Sequence, residues 1–371
     1  MRRSAVGLVT ACALLVLSGA AYPQAPAPPP PTLQKVGVTE SVHRSLDYVS
    51  AKHSLTLSYP GASYVKVHFS RLSLLPGDWL TIADPTGGQA RTYRFGLAGE
   101  WAMSVDGDTA VLTLHGQFAR LTGYGVTVDK VAHGYTESER AGNRHRTESL
   151  CGDDDSADAV CYRSTDPVAY RNSKAVARLL INGDELCSAW RVGPNNRMFT
   201  NHHCFTTSLD AHNTEVWFNY ECAVCGGFAT LRPTKVRGDT VLATDATLDY
   251  TLFTVDDFAT VQPYGYLSLD VRDPSAGEEL YIAEHPGGDP TVLAISSDAD
   301  RDGNCQVKDA TADGYGSGTD VSYLCDTAAG SSGSPVLSRT TDRVVALHHF
   351  GGCPNAGVRI DLIYRQVGSL L

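Results

Sequence analysis

The sequence predicts an all-β chain of two modules, and three observations carry that prediction. Apolar and polar residues alternate with period two: Val65, Val67 and Phe69 are interleaved with Lys66 and His68, and Ala110, Leu112 and Leu114 repeat the pattern. Turn dipeptides punctuate these runs at Pro60-Gly61, Pro76-Gly77, Gly87-Gly88 and Asp106-Gly107. Alternation between regular turn signals is the signature of short antiparallel strands. The third observation is the cysteines: apart from Cys12, all nine lie between Cys151 and Cys353, so the two halves are held together differently.

Residues 1–21 have the layout of an export signal. Arg2 and Arg3 precede an apolar run from Ala5 to Leu17, and small residues at Ser18 to Ala21 offer a cleavage site. Export agrees with the cysteines, since disulfides form outside the cytosol. Residues 22–32 form a proline-rich spacer, too poor in core-forming residues to fold. Residues 33–135 read as an antiparallel β-sandwich, long enough for one core. Residues 136–149 contain Arg140, Arg144 and Arg146 and no apolar anchor, and are expected to be an exposed linker, either a plain tether or a processing site. Residues 150–371 return to strands, at Ala175–Ile181, Glu215–Tyr220, Tyr250–Val255, Glu279–Ala283 and Arg343–His348. No amphipathic helix is expected there. Many short strands over this length predict a large sandwich or paired barrels.

Composition excludes some functions. The net charge of −11 and the lack of a basic stripe argue against nucleic acid as a partner. After the N-terminal run, no stretch is long and apolar enough to span a bilayer, so no membrane partner is expected. Cys222-x-x-Cys225 lacks the second pair, or the nearby histidines, that a zinc site needs. Asp298-x-Asp300-x-Asp302-Gly303, followed by Asp309, has the spacing of a calcium loop. It lies among strands beside Cys305 rather than between helices, and is read as a solvated acidic turn. No metal or cofactor is expected.

Two motifs carry the chemistry. Gly330-Ser331-Ser332-Gly333-Ser334-Pro335 frames Ser332 with glycines, which permit a tight turn and bring the N–H groups of Gly330 and Ser332 near a substrate carbonyl as an oxyanion hole. A serine hydroxyl is a poor nucleophile unless an imidazole takes its proton. Thr200-Asn201-His202-His203-Cys204 supplies that imidazole. Asp249 sits between Leu248 and an apolar strand, where a carboxylate would be buried and would need a partner such as an imidazole N–H. Asp245, Asp256 and Asp257 lie in polar, turn-like settings and are read as solvated.

With these motifs in the order His, Asp, Ser, residues 150–371 resemble chymotrypsin-fold serine peptidases of the bacterial secreted type, and among them lysyl endopeptidase. Thr200–Cys204 is similar to the family's Thr-Ala-His-His-Cys, with Asn201 in place of alanine. Trp217–Tyr220 matches the strand that follows, Asp249–Leu252 the Asp-x-x-Leu segment, and Gly330–Pro335 the nucleophile loop. The resemblance implies a double β-barrel with His203 as general base, Asp249 orienting it and Ser332 as nucleophile, while His202 is structural. It places Asp326, six residues before Ser332, on the floor of the primary pocket. It likens Asp361 to the acid with which lysyl endopeptidases select lysine, and puts His348 and His349 on the substrate-pairing strand, with His349 bordering the pocket. Phe350 departs from the family's glycine at the pocket mouth. By the same analogy Cys187 pairs with Cys204, Cys151 with Cys353 and Cys161 with Cys225. Local spacing pairs Cys305 with Cys325, leaving Cys222 over.

The expectation is therefore a secreted, monomeric endopeptidase acting on polypeptides after Lys or Arg. Glutamyl specificity on the same fold is the alternative, since a histidine near His348 holds an acidic side chain in glutamate-specific relatives. A catalytically silent binding protein on this fold is the alternative from another class. An α/β-hydrolase esterase is argued against by the strand-rich pattern and the triad order. Residues 33–135 also resemble CUB-like sandwich domains, in Tyr64–Phe69, Trp101–Leu114 and Gly125–Asp129, but without that family's cysteine pairs.

Overall fold

The computed structural model describes residues 33–50, 52–94, 99–116, 121–144 and 148–371. The segments read as export signal and spacer, residues 1–32, lie outside them. The alternating segments of the first module fold into two facing antiparallel sheets. One contains Gly37–Asp47, Gly125–Gly134, Tyr64–Ser73 and Glu100–Trp101, with Val105–Asp106 also on Tyr64–Ser73. The other contains Ser54–Ser58, Thr109–His115, Trp79–Ala83 and Arg91–Tyr93. Val65, Val67, Phe69, Leu112 and Leu114 meet in the core between them. Lys66 breaks the expected alternation of buried apolar with exposed polar residues. It is buried too, because the outer face of its sheet is covered by the second module.

That second module is a closed sheet followed by a second large sheet. In the first, Glu185–Arg191, Val176–Ile181, Glu215–Phe218, Thr234–Asp245, Tyr250–Val255 and Met198–Thr200 pair in order, and Met198–Thr200 closes back onto Glu185–Arg191. In the second, the order is Ala157–Asp158, Val292–Ala294, Leu280–Glu284, Pro335–Ser338, Val344–Phe350, Asn355–Arg359, Asp320–Tyr323 and Val307–Ala312. Trp190, Phe199, Tyr250 and Leu252 from the first pack against Tyr281, Leu293, Leu337, Leu347 and Val358 from the second, so one apolar core runs through both. The architecture is all-β, as the pattern predicted, and of the two arrangements the pattern left open for the second module it is the double barrel that the resemblance implied.

Two local expectations are corrected. Part of the expected linker is helical, Glu137–Arg144, its start held by Glu139 accepting the N–H of Thr136 at 2.8 Å. Thr136-x-x-Glu139 is a capping pair, a signal that the reading of this segment from its arginines did not use. The barrel module also contains helices, among them Pro167–Ser173, capped by Asp166, and Ile360–Val367 near the C-terminus. The latter buries Ile360, Ile363 and Val367 at helical spacing, a signal too short to stand out among strands.

The structure pairs Cys151 with Cys353, Cys161 with Cys225, Cys187 with Cys204 and Cys305 with Cys325, and Cys222 is a buried free thiol. Among the described residues, no helix is long and apolar enough to cross a membrane.

The modules share a polar interface. Glu215, on the barrel, is fully buried and forms an ion pair with Lys66 at 2.8 Å. It also accepts from the Ser104 backbone at 2.6 Å and hydroxyl at 2.8 Å, and from the Trp217 indole at 2.7 Å. Burial alone would raise its pKa, but Lys66 and Lys235 outweigh it and hold the carboxyl down at about 2. Tyr64 donates its hydroxyl to Gly183 O at 2.7 Å, and Arg237 donates to Trp101 O at 2.8 Å. At the same seam, Gln34–Lys35 adds a short strand to the barrel by pairing with Leu186 and Glu185.

Candidate active site

Strand Met198–Thr200 runs into Asn201, and the chain turns so that His203 faces Asp249. Asp249 Oδ2 lies 2.7 Å from His203 Nδ1, and Oδ1 accepts the His203 backbone N–H at 2.9 Å. Asp249 stands at φ +40°, a left-handed conformation rare for residues other than glycine. The Asn201 side-chain amide donates to the Asp249 carbonyl at 2.8 Å and holds it there, which accounts for Asn201 standing where the resembled family has alanine. The Cys187–Cys204 bridge ties the histidine's loop to strand Glu185–Arg191. His202 instead bonds Thr244 at 2.8 Å.

Ser332 is brought to this strand from the other sheet. Its carbonyl accepts from Ser188 N at 2.8 Å, and Ser188 Oγ donates to Gly330 O at 3.1 Å. Gly330 and Gly333 have φ of +102° and +89°. A Cβ on Gly330 would lie 2.4 Å from Leu186 Cδ2, and one on Gly333 2.1 Å from Ser188 O, so both conformation and space require glycine. His203 Nε2 is buried and has no protein partner. Ser331 is turned inward, its hydroxyl accepting from Ala328 N at 3.3 Å, and Ser334 is fully buried beneath the loop.

His349 is the largest departure from expectation. It was read as bordering the substrate pocket. It is instead fully buried between two carboxylates, with Nδ1 3.1 Å from Asp249 Oδ2 and Nε2 2.6 Å from Asp320 Oδ2. Burial would lower its pKa, but hydrogen bonds to Asp249 and Asp320 raise it to about 9. Asp249, which burial would raise, is held far below the usual carboxylate range by His203 and His349. The four side chains form a continuous line, His203–Asp249–His349–Asp320. Phe350 lies over this line, its ring 3.9 Å from that of His349 and 4.8 Å from that of Tyr315. Asp320 was missed because nothing local to Thr319-Asp320-Val321 marks it. It reaches His349 only through the pairing of Asp320–Tyr323 and Val344–Phe350 on either side of Asn355–Arg359.

The two pocket aspartates are also engaged elsewhere. Asp326 is buried, with Oδ1 accepting from Cys151 N at 3.2 Å and Oδ2 from Asp155 N at 2.8 Å, so it fastens the start of the barrel module. Asp361 lies in helix Ile360–Val367, held by Arg359 at 3.1 Å and Arg365 at 2.8 Å. Asp361 is thus paired with two arginines, whereas Asp326 is held by backbone N–H groups and forms no ion pair among the described residues. His348 bonds Tyr323 at 2.7 Å, and burial lowers its pKa to about 3, so it is neutral. The Thr327 hydroxyl is buried without a protein partner. Glu284 is fully buried and hydrogen-bonded to Ser331, and burial raises its pKa to about 8.

In the acidic loop, Asp300 is paired with Lys308 and accepts from Gln306 N, while Asp309 accepts from Thr311 N at 2.9 Å. These carboxylates are spent on the loop's own groups.

Residues 187–347 match the family described as trypsin-like peptidase domain. The chain is 34% identical over 318 residues to secreted RxLR effector protein 73 of Plasmopara viticola, covering 80% of this chain and 77% of that one. The chain belongs to that protein's family, and its second module is a trypsin-like peptidase domain. Solved structures similar to it include a Glu endopeptidase in complex with MPD, at 17% identity and a TM-score of 0.43, covering 60% of this chain and all of that one. A serine endoprotease from Yersinia pestis is 12% identical with a TM-score of 0.41, covering 56% of this chain and 66% of that one.

Proposed function

We propose that the chain is a secreted serine endopeptidase. Ser332 attacks a peptide carbonyl, His203 Nε2 takes the proton and returns it to the leaving amine, and Asp249 fixes the imidazole and stabilises its charged form. The N–H groups of Gly330 and Ser332, neither of which donates to an acceptor among the described residues, bind the developing oxyanion. Water then reverses the sequence to free the acyl group. The observation that carries this reading is His203: Nδ1 is fixed 2.7 Å from Asp249 while Nε2 is left without a partner. Export is supported by the N-terminal apolar run, the four disulfides and the relative whose name describes it as secreted.

Cleavage after Lys or Arg requires Asp326 to share its carboxylate with the substrate while holding Cys151 and Asp155. Cleavage after Glu is the second reading, favoured by the unpartnered Thr327 hydroxyl, which can donate to a carboxylate. Matched peptides carrying Lys, Arg, Glu or Leu before the scissile bond, given to wild type and Ser332→Ala, test both. Cleavage lost in Ser332→Ala supports the peptidase and names its preference. Lack of cleavage of every peptide, and of labelling of Ser332 by a fluorophosphonate, would leave a silent protease fold acting as a binding protein.

A further inference from the structure

A cavity of about 1000 Å³ lies where the sandwich meets the barrel, lined by Val36, Tyr64, Arg178, Trp217, Tyr220 and Gly288 among others. Arg178 is its distinctive residue. It is 4% exposed, and its Nε and Nη1 have no hydrogen-bond partner. The guanidinium lies over the Trp217 ring, 4.4 Å from its centroid, and 5.9 Å from that of Tyr220. The aromatic faces hold its plane but leave the donors on Nε and Nη1 unused. Other charged residues around the cavity are engaged: Asp106 with Lys235, Glu137 with Arg140, Asp154 with Ser156, Asp158 with Gly226 N, Arg232 with Gly88 O, and Asp289, also in the lining, with partners of its own. A buried charge without a counter-charge is costly, by several kcal/mol. A planar guanidinium fork matches a carboxylate in geometry and charge.

The cavity is beside the oxyanion loop. Its rim residue Gly287 donates to Ala329 O at 2.8 Å, and Leu186, which packs against Gly330, also touches the position a Cβ on Gly288 would take, 3.3 Å from Arg178 Nε. Ser332 O accepts from Ser188 N on strand Glu185–Arg191, so one half of a substrate held at Ser332 runs along that strand toward Leu186, and we take this to be the leaving half. There the strand edge is already filled, because Gln34 pairs with Leu186 and Lys35 with Glu185. Backbone pairing at that edge is closed to a substrate, and recognition of the leaving half falls to side chains.

We propose that Arg178 and this cavity bind a carboxylate carried by the leaving half of the substrate, within the first few residues after the scissile bond. The inference rests on the peptidase reading. The carboxylate can come from an Asp or Glu side chain or from the free C-terminus of a short leaving peptide.

The test uses the full chain and quenched fluorescent peptides sharing one acyl half. The leaving halves carry Glu or Gln at the second or third position, each ending in a free acid or an amide. Wild type is expected to cleave the carboxylate-bearing members at least tenfold better in kcat/KM. A preference that follows Glu over Gln in amide-ended peptides identifies the side chain as source, and one that follows acid over amide identifies the C-terminus. Arg178→Gln is expected to bring the ratio within twofold, and Arg178→Lys to retain part of it. Equal cleavage of all members by wild type overturns the proposal and leaves the peptidase standing, and needs no variant to fold. If wild type cleaves none, the peptidase reading fails and the proposal falls with it.

Discussion

Asp320→Asn isolates the contribution of the line behind Asp249. His349 sits 2.6 Å from Asp320 and 3.1 Å from Asp249, with its pKa raised from 6.5 to about 9 despite complete burial. That rise corresponds to about 3 kcal/mol of preference for the imidazolium. Asp320 is the nearer carboxylate, and with its charge removed burial dominates, so His349 is expected to be mostly neutral at pH 7.5. Asp249 then exchanges a charge-assisted hydrogen bond for an ordinary one, a loss of about 1–2 kcal/mol. If this loss is felt in the transition state, where Asp249 faces a charged His203, kcat falls roughly tenfold. KM should not change, since His349 is covered by Phe350 and Tyr315. The assay is the pH dependence of kcat and KM on the best peptide of the matched panel. Wild type should show an alkaline limb near pH 9, and Asp320→Asn should move it down by more than a unit. Stability should follow the same sign. A histidine whose pKa is raised in the folded state stabilises fully below pH 6.5 and loses that contribution as pH rises through about 9, so the wild-type melting temperature should fall across this window more than the variant's. An unmoved alkaline limb with an increased KM would refute the reasoning and return His349 to the substrate pocket.

Two further predictions concern buried carboxyls. Glu284, raised to about 8 by burial, stabilises below its ordinary pKa near 4.5 and loses that contribution as pH rises through about 8; Glu284→Gln should therefore raise the melting temperature at pH 8.5 relative to wild type and change it little at pH 5, as read by calorimetry. Glu215→Ala leaves Lys66 and Lys235 without their shared carboxylate and should destabilise the chain by about 3–5 kcal/mol in urea unfolding, whereas Glu137→Ala, removing an exposed pair with Arg140, should cost under 1 kcal/mol.

What was legible in the sequence was what is encoded locally. The glycine-framed serine, the histidine beside a cysteine and the aspartate opening an apolar strand each announce themselves within about six residues, because turn conformation and burial are set by near neighbours. The strands were legible for the same reason, one by one, but their pattern left a large sandwich or paired barrels open, and only the family resemblance chose the double barrel. Groups that act through strand register were not. Asp320 meets His349 across an intervening strand, and Asp361 is drawn to Arg359 and Arg365 by a helix whose short apolar stripe is hidden among strands. Asp326 has the right offset from Ser332, but offset says nothing of the backbone N–H groups of Cys151 and Asp155 that occupy it, from residues about 170 positions away. Alternation puts Lys66 on the face of its strand opposite the sandwich core. Its burial depends on a second module that alternation within one strand cannot report.

This same burial bears on whether the sandwich stays with the barrel. A pro-domain destined for removal needs an interface whose exposed remnants are tolerable in water. Here the barrel contributes a carboxylate, Glu215, that is 0% exposed and takes hydrogen bonds from Ser104 and an ammonium from Lys66, both in the sandwich. Arg237 and Asn213 bond the backbone at Trp101, and Gln34–Lys35 completes a barrel edge. Separation would expose Trp217, Leu186 and Tyr64 as well as strip these charges of their partners. Cutting the chain within residues 145–147, beside the arginines, should thus leave two fragments that co-elute in gel filtration under native conditions and part only in denaturant. Elution of a free, active barrel would show that the interface is disposable, and would remove with it the cavity wall formed by Val36 and Tyr64. Retention of both would place the sandwich among the parts that shape the leaving side of the site.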